Sequence, residues 1–511
     1  MKKKSIKLNF IMNALLSVSN FIFPIITFPY VSRILTPVGT GKIATATSII
    51  SYFNIFAQLG IPTYGIRACA RVRDNKEELT RTAHELLMIN MIMSAITYVF
   101  LFVSIAVFPV LREEKTLYLI SSATILLTSV GMEWLYKALE QYTYITVRSV
   151  IFKFIAMGLM FLLIHEQKDY VIYGALAIFA ASASNILNFI NVHKYIDLKP
   201  VGKYNMKRHL KPVGIFLAMS CATTIYTNLD TVMLRLMKGD EEVGYYNAAV
   251  KIKTVVLSVV TSLGAVLLPR VSYYIENKMM MEFKRVTAKA LNFVIILAGG
   301  ASIYFIFMAR ECILLVSGEM YEGSIIPMQI IIPTVLIIGI SNILGIQMLV
   351  PLGKEKTLLW AEIGGAVIDM VINALLIPRF YSAGAAIGTL VAEIYVTAYL
   401  AVYLREELHG VVRQIGFIKI FSSLLIACGS MIAANVYGGI RLITWLTERG
   451  GKMASFAASV EGNSFIMLAV SFTVFSLVYL GMLIFLKERL TIELLSGMKA
   501  KIKGILSRWK S

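Results

Sequence analysis

The chain has 511 residues, 58% of them apolar and 15% charged, with a mean hydropathy of +0.74 and a formal net charge of +19. Soluble domains carry roughly 25% charged and about 45–50% apolar residues, so the composition excludes a soluble enzyme, and a bilayer explains the basic balance better than nucleic acid does. The four cysteines, Cys69, Cys221, Cys312 and Cys428, are scattered without metal-ligand spacing and read as small apolar residues.

The apolar mass falls into runs of about 18–25 residues, the length that crosses ~30 Å of hydrocarbon at ~1.5 Å per residue. Fourteen transmembrane spans are predicted: 8–31, 43–61, 86–108, 117–135, 145–164, 170–191, 213–236, 245–268, 291–309, 325–350, 358–377, 383–403, 415–437 and 465–486. The expected fold class is an all-α membrane protein. The first run follows Lys2, Lys3, Lys4 and Lys7. It is too long for a signal-peptide core and no A-x-A site closes it, so it reads as an uncleaved span. Gln58, Gly60 and Pro62 interrupt the second span.

Lysine and arginine set the orientation. With the N-terminus inside, the inner segments hold 35 basic residues and the outer segments 14. Inner loops of membrane proteins are the basic ones, so both termini are expected in the cytoplasm, and the expected localisation is the inner membrane. The loops are short, leaving no room for a catalytic ectodomain.

A faint repeat groups the spans. Val38 to Thr45 opens span two as Val243 to Ala249 opens span eight; Leu139 to Ile164 lies on Leu352 to Ile377 without gaps; Gly174-Ala175 matches Gly384-Ala385. The offsets are 205, 213 and 210 residues, six spans each, and an even separation keeps both copies in one orientation. The expectation is two parallel six-helix lobes, 1–200 and 201–410, around a central cavity, with two added spans in 411–486. Chance similarity among apolar helices is the alternative. The tail, 487–511, alternates Leu494, Leu495, Met498, Ile502, Ile505, Leu506 and Trp509 with basic residues. It reads as an amphipathic interfacial helix or as a plain stop-transfer tail.

Charges inside spans are informative because each costs ~2.5–3.5 kcal/mol at a helix centre. Asp369 and Glu393 lie midway along spans eleven and twelve, and Glu362 lies two turns inward of Asp369. They are ion-coupling candidates for a proton or sodium, or else structural hydrogen-bond partners between helices. Arg33, Lys137, Arg148, Lys153, Asp230, Arg235 and Lys251 are candidate cavity residues for an anionic headgroup such as a diphosphate. For those near span ends, snorkelling to lipid headgroups is the alternative. Asn13, Asn20, Asn54 and Gln58 add polar positions whose default role is interhelical hydrogen bonding. No phosphate-binding G-x-x-x-x-G-K-[ST] stretch is present, no histidine pair has zinc spacing, and no catalytic residue or cofactor is expected.

Two stretches carry a family resemblance. One is Asn13 through Phe28-Pro29-Tyr30-Val31-Ser32-Arg33-Ile34-Leu35, then Gly39-x-Gly41-x-Ile43-Ala44. The other is Gly131-Met132-Glu133-Trp134-Leu135-Tyr136-Lys137-Ala138-Leu139-Glu140, followed by Tyr144 and Arg148. Both resemble Wzx-type polysaccharide flippases of the multidrug/oligosaccharidyl-lipid/polysaccharide exporter superfamily, although Lys137-Ala138 stands where Gln-Gly is usual. Arg33, Glu133, Glu140 and Arg148 are the matching positions. The resemblance implies a flippase, not an enzyme, that moves an undecaprenyl-diphosphate-linked oligosaccharide by ion-coupled alternating access. The product would be capsule, O-antigen or another surface polysaccharide. Its implied partners are the lipid-linked substrate, membrane lipids, and the polymerase and glycosyltransferases of the same pathway, with no nucleic acid. A cation-coupled multidrug exporter of the same fold and a membrane glycan polymerase are the rival readings.

Overall fold

The computed structural model describes residues 6–449 and 451–496, and every regular element among them is helical. Most of the expected amphipathic tail, 497–511, lies outside the described residues. Nine described helices are long and apolar enough to cross a membrane, or ten if one bent pair counts as a span. The sequence leads to a larger number, fourteen, partly because two of these helices double back.

The first reversal is in α1 (Ile6–Gln58), whose 53 residues would reach ~80 Å if straight. Thr36 breaks it with a left-handed φ of 61°. Before the break α1 runs alongside α6 (Tyr142–Leu163): Met12 accepts from Thr146, and Tyr30 reaches the Ile164 carbonyl at 2.8 Å. After it the chain runs alongside α4 (Lys115–Gly131), from Lys42 beside Glu114 to Gln58 beside Ser129. This unit also contains α2 (Ile61–Val72), α3 (Lys76–Val107), the short α5 (Glu133–Ala138), α7 (Tyr170–Ile178), α8 (Asn185–Asn191) and α9 (Lys207–Lys238), with shorter helical turns between them. A π-helical turn, Phe179–Ala183, follows α7. Contacts group Met1–Asn247 as one compact unit and Ala248–Ser511 as a second. The long α10 (Asp240–Glu276) begins in the first and continues in the second.

The first unit is arranged for lipid. On α3 the buried positions include Asn90, Ser94 and Thr97, while Val99, Phe100, Phe102 and Val103 are exposed. Apolar side chains gain nothing by leaving hydrocarbon, so polar groups turn inward and hydrogen-bond between helices. Gln58 donates to Ser129 at 2.8 Å and accepts from Asn90 at 3.2 Å, and Ser94 meets Ser129 at 2.8 Å. Gln58 and Asn54, which accepts from Thr128, thus act as interhelical partners.

The second unit contains α11 (Met280–Phe307), α12 (Ile325–Ile331), α13 (Thr334–Asn342), α14 (Glu355–Tyr403), α15 (Phe417–Ala433) and α16 (Val460–Phe485), with shorter helices between them. The second reversal is in α14, at Tyr381 with φ 56°. Gly384 meets the Leu376 backbone, Gly388 meets Asn373 and Asp369, and Gly364 meets Tyr395. These antiparallel contacts make α14 a tight hairpin. After α16, Glu488 caps the next short helix, 489–496. Its carboxylate accepts from the backbone N–H groups of Leu490 and Thr491 and from Asn292 of α11.

Burial pushes the Glu488 carboxyl up, but the Thr491 and Leu490 N–H groups, the Thr491 hydroxyl and Asn292 outweigh it and hold the group below the ordinary carboxyl range. A lowered pKa means the unfolded chain binds the proton more tightly, so the stabilisation is complete above the unfolded value of about 4.3 and is lost as pH falls through the folded value. We expect the hydrogen-exchange protection factors of residues 489–496, taken relative to intrinsic rates at each pH, to fall below about pH 4. Glu488→Gln is expected to show low protection factors already at pH 7, with little further fall in acid.

Candidate functional site

A polar stripe in α1 opens the site. Asn13, Ser17, Asn20, Pro24 and Thr27 are spaced alternately four and three residues apart, which places them on one helix face. They line a groove of 560 Å³ whose opposite wall is α6, with Lys153 at its middle. Lys153 Nζ donates to Ser19 Oγ at 2.8 Å and to Asn20 Oδ1, and lies 5.8 Å from the centre of the Phe23 ring. Glu133 and Lys137 of α5 complete the polar lining.

Glu133 divides the site from the core. Its Oε1 is 2.9 Å from Lys137, on the groove side, and its Oε2 is 2.7 Å from the Arg148 guanidinium. Arg148 is buried to 3% exposure and does not line the groove. It also donates to Ser184 Oγ at 2.6 Å and to Asn185 Oδ1 at 3.2 Å. The π-helical turn immediately precedes these two acceptors, and such one-residue expansions rotate the following side chains. Residues 148 and 153 are five apart, roughly 140° around a helix, so α6 buries one cation and presents the other.

The remaining candidates lie elsewhere. Arg33 donates to the Pro29 carbonyl at 2.6 Å, one turn back on α1. Glu140 pairs with Arg73 at 2.7 Å and accepts from Asn9 at the opposite end of the unit. Asp230 is buried and accepts from the Tyr246 hydroxyl. Arg235 joins an ion network, 2.9 Å from Asp240 and 3.1 Å from Glu113, while Lys42 pairs with Glu114 at 2.5 Å and Tyr170 donates to Glu114 at 2.7 Å. The backbones touch there. A Cβ on Gly41 would lie 1.7 Å from the Asp240 carbonyl oxygen, and one on Gly244 would lie 2.1 Å from that of Pro37. In the second unit Lys251 and Glu362 are half-buried. Asp369 is 1% exposed and Glu393 is buried, on the two limbs of the α14 hairpin. A Cβ on Gly388 would lie 2.9 Å from Asp369 Oδ1.

Of the sequence candidates, then, Lys137 and Lys153 meet in one groove, Arg148 supports it from behind, and the others stand apart. Ser17, Ser19, Thr27 and Tyr173 were not singled out from the sequence, although the heptad-like polar stripe on α1 was there to be read. Glu113, Glu114 and Asp240 gave no sequence signal beyond lying next to turns.

The two cations of α6 are expected to respond differently to truncation. Arg148→Ala leaves Ser184 and Asn185 without their buried donor while Glu133 keeps Lys137, and should destabilise by about 1–3 kcal/mol. Lys153→Ala removes only groove contacts and should cost below about 1 kcal/mol. Thermal unfolding of the two purified variants in one detergent distinguishes them, and equal losses would contradict this division of roles.

Comparison with known proteins places this geometry. The family profile described as "Polysaccharide biosynthesis protein" matches residues 6–275, more than half of the chain. An Escherichia coli (strain K12) protein named "Putative O-antigen transporter" is 23% identical over 410 residues, covering 79% of this chain and 98% of that protein. A protein of the same name from Shigella dysenteriae is 24% identical over 411 residues, covering 78% and 98%. Among solved structures, the lipid II flippase MurJ in an inward closed conformation superposes with a TM-score of 0.68 at 16% identity, over 94% of this chain and 99% of that one. An inward-facing multidrug resistance MATE family transporter superposes at 0.60 and 12% identity, over 76% and 95%. The fold is that of all-α transporters, and the chain belongs to the polysaccharide biosynthesis protein family, as a transporter of that family and not an enzyme.

Proposed function

We propose that this protein flips an undecaprenyl-diphosphate-linked oligosaccharide across the bacterial cytoplasmic membrane by cation-coupled alternating access, supplying a surface polysaccharide. The observation that carries the reading is the groove between α1 and α6, which keeps a lysine midway along a membrane helix with its ammonium group turned to the groove. Such a charge is costly in hydrocarbon and marks a solvated path. Lys153 and Lys137 would hold the diphosphate through charge-assisted hydrogen bonds, and Asn13, Ser17 and Asn20 would meet sugar hydroxyls. The lipid-linked cargo named for MurJ and the O-antigen named for the curated relatives are chemically of this kind. Asp369 and Glu393 would supply coupling, since a buried carboxylate changes its partners when it gains a proton or sodium ion. Both termini would face the cytoplasm, alongside the glycosyltransferases that build the substrate, with a polymerase receiving it on the far side.

Alternating access needs an end that opens and closes. The contact of Gly41 with Asp240, bordered by the Arg235 and Lys42 ion pairs, lies at the end that the basic-residue bias assigns to the outside. Of the bordering ion pairs, Arg235–Glu113 has an exposed carboxylate and contributes about 1 kcal/mol or less, so the close backbone approach at Gly41 and Gly244 does most to hold this end shut. Bulk at Gly244 should keep this end ajar. In a cysteine-free background, Thr40→Cys is expected to label faster with a membrane-impermeant maleimide when Gly244→Val is also present. Unchanged labelling would refute this gate.

The function itself is tested in proteoliposomes carrying a fluorescent lipid-linked oligosaccharide. Lys153→Ala is expected to slow flipping by about tenfold or more, the worth of one charge-assisted hydrogen bond. Asp369→Asn is expected to leave a rate that no longer responds to an imposed proton or sodium gradient. Wild-type behaviour in both variants would remove these assignments, and gradient-driven efflux of lipophilic cations without flipping would favour a drug exporter instead.

A further inference from the structure

The second unit holds a site of a different kind. One stripe of α11 runs Glu282, Arg285, Lys289, Phe293, Leu297, Tyr304, so charge gives way to apolar surface along a single helix face. With Arg270 and Tyr274 of α10, the charged part walls a pocket of 490 Å³. The apolar part, facing Phe475 and Tyr479 of α16, lines a groove of 580 Å³. Pocket and groove share Phe293, Leu490 and Leu494, so the two adjoin. Three cations, Arg270, Arg285 and Lys289, face the pocket against one acid, Glu282. Arg270 Nε donates to the Tyr274 hydroxyl at 2.8 Å, and Lys289 is paired with Glu493 at the rim.

A basic cup beside an apolar groove has the chemistry of a lipid headgroup and chain. We infer that this composite site holds one anionic phospholipid, its phosphate between Arg270 and Arg285 and an acyl chain in the groove. Length selects the occupant. Phe293 to Tyr304 spans ~16 Å at ~1.5 Å per residue, close to one leaflet of a ~30 Å core. An acyl chain fits that run, whereas the far longer polyprenyl chain of the proposed cargo would overrun it. The basic-residue bias places the pocket at the cytoplasmic surface, where anionic lipids attract clustered lysine and arginine. The inference does not depend on the cargo proposed above.

Native mass spectrometry of the purified full-length protein tests it, with phosphatidylglycerol and phosphatidylcholine of identical chains as probes. Wild type should retain phosphatidylglycerol preferentially. Arg270→Ala with Arg285→Ala should lower that retention about fivefold per group removed, with phosphatidylcholine unaffected. Ala301→Trp, which fills the groove, should lower retention of both lipids, and it decides the matter should the double variant not fold. Equal retention of the two lipids by wild type, or unchanged phosphatidylglycerol in either variant, overturns the inference. Displacement of phosphatidylglycerol by millimolar inorganic phosphate would make this a small-anion site, and displacement by a polyprenyl phosphate would make it part of the cargo's route; either also overturns it.

Discussion

A charged side chain that leaves water must be met by a partner, and the Arg148–Glu133 pair shows how much follows from that requirement. Arg148 is almost fully buried, and its guanidinium is held by Glu133, Ser184 and Asn185. These contacts bind α6 to α5 and to the chain that follows the π-helical turn. They also leave Glu133 with one oxygen for Lys137 and fix the rotation of α6 that turns Lys153 into the groove. Buried ion pairs are weak contributors to net stability because desolvation offsets attraction. Here the pair contributes position: it sets which face of α6 is core and which is lining.

The same economy of means recurs in the backbone. Thr36 and Tyr381 take left-handed φ values without being glycine, and each turns a long helix back on itself. Such strain costs of order 1–3 kcal/mol and persists only where the surroundings enforce it. Around Tyr381 the enforcement comes from glycines, whose missing side chains let the two limbs of α14 meet and bring Gly388 against Asp369. A midspan carboxylate is thereby sealed between two helices of one hairpin. The network at Arg235 relies on the same device, with Gly41 and Gly244 admitting backbone-to-backbone contact beside the ion pairs.

Much of this was legible in the sequence, at the level where composition and periodicity speak. Apolar runs give the membrane class, and Lys137 and Lys153 stand out in the sequence as candidate cavity cations within or at the end of apolar spans. Arg148 was singled out on the same grounds, but spacing alone does not distinguish a cation that lines a cavity from one that supports its wall; that depends on where Ser184 and Asn185 fall after a π-helical turn no pattern announces. Arg235 and Asp230 were likewise visible as charges, while their partners Glu113, Asp240 and Tyr246 come from other turns and helices, brought together only by tertiary packing. The stripe of Asn13, Ser17, Asn20 and Thr27 is the reverse case, present in the periodicity although each residue alone reads as an ordinary interhelical hydrogen-bonding group.

The hydrogen bonds from Lys153 to Ser19 and Asn20 have a kinetic meaning beyond geometry. An empty carrier whose cation is already occupied by its own neighbours offers an arriving anion an exchange of partners and not a bare charge. The gain on loading is then modest, and so is the penalty on letting go. A receptor is improved by deep wells, whereas a shuttle is stalled by them, since residence time lengthens tenfold with each ~1.4 kcal/mol of added affinity. By satisfying Lys153 internally, α1 would flatten the energy profile along which the proposed cargo travels, and would protect turnover at the expense of tight binding.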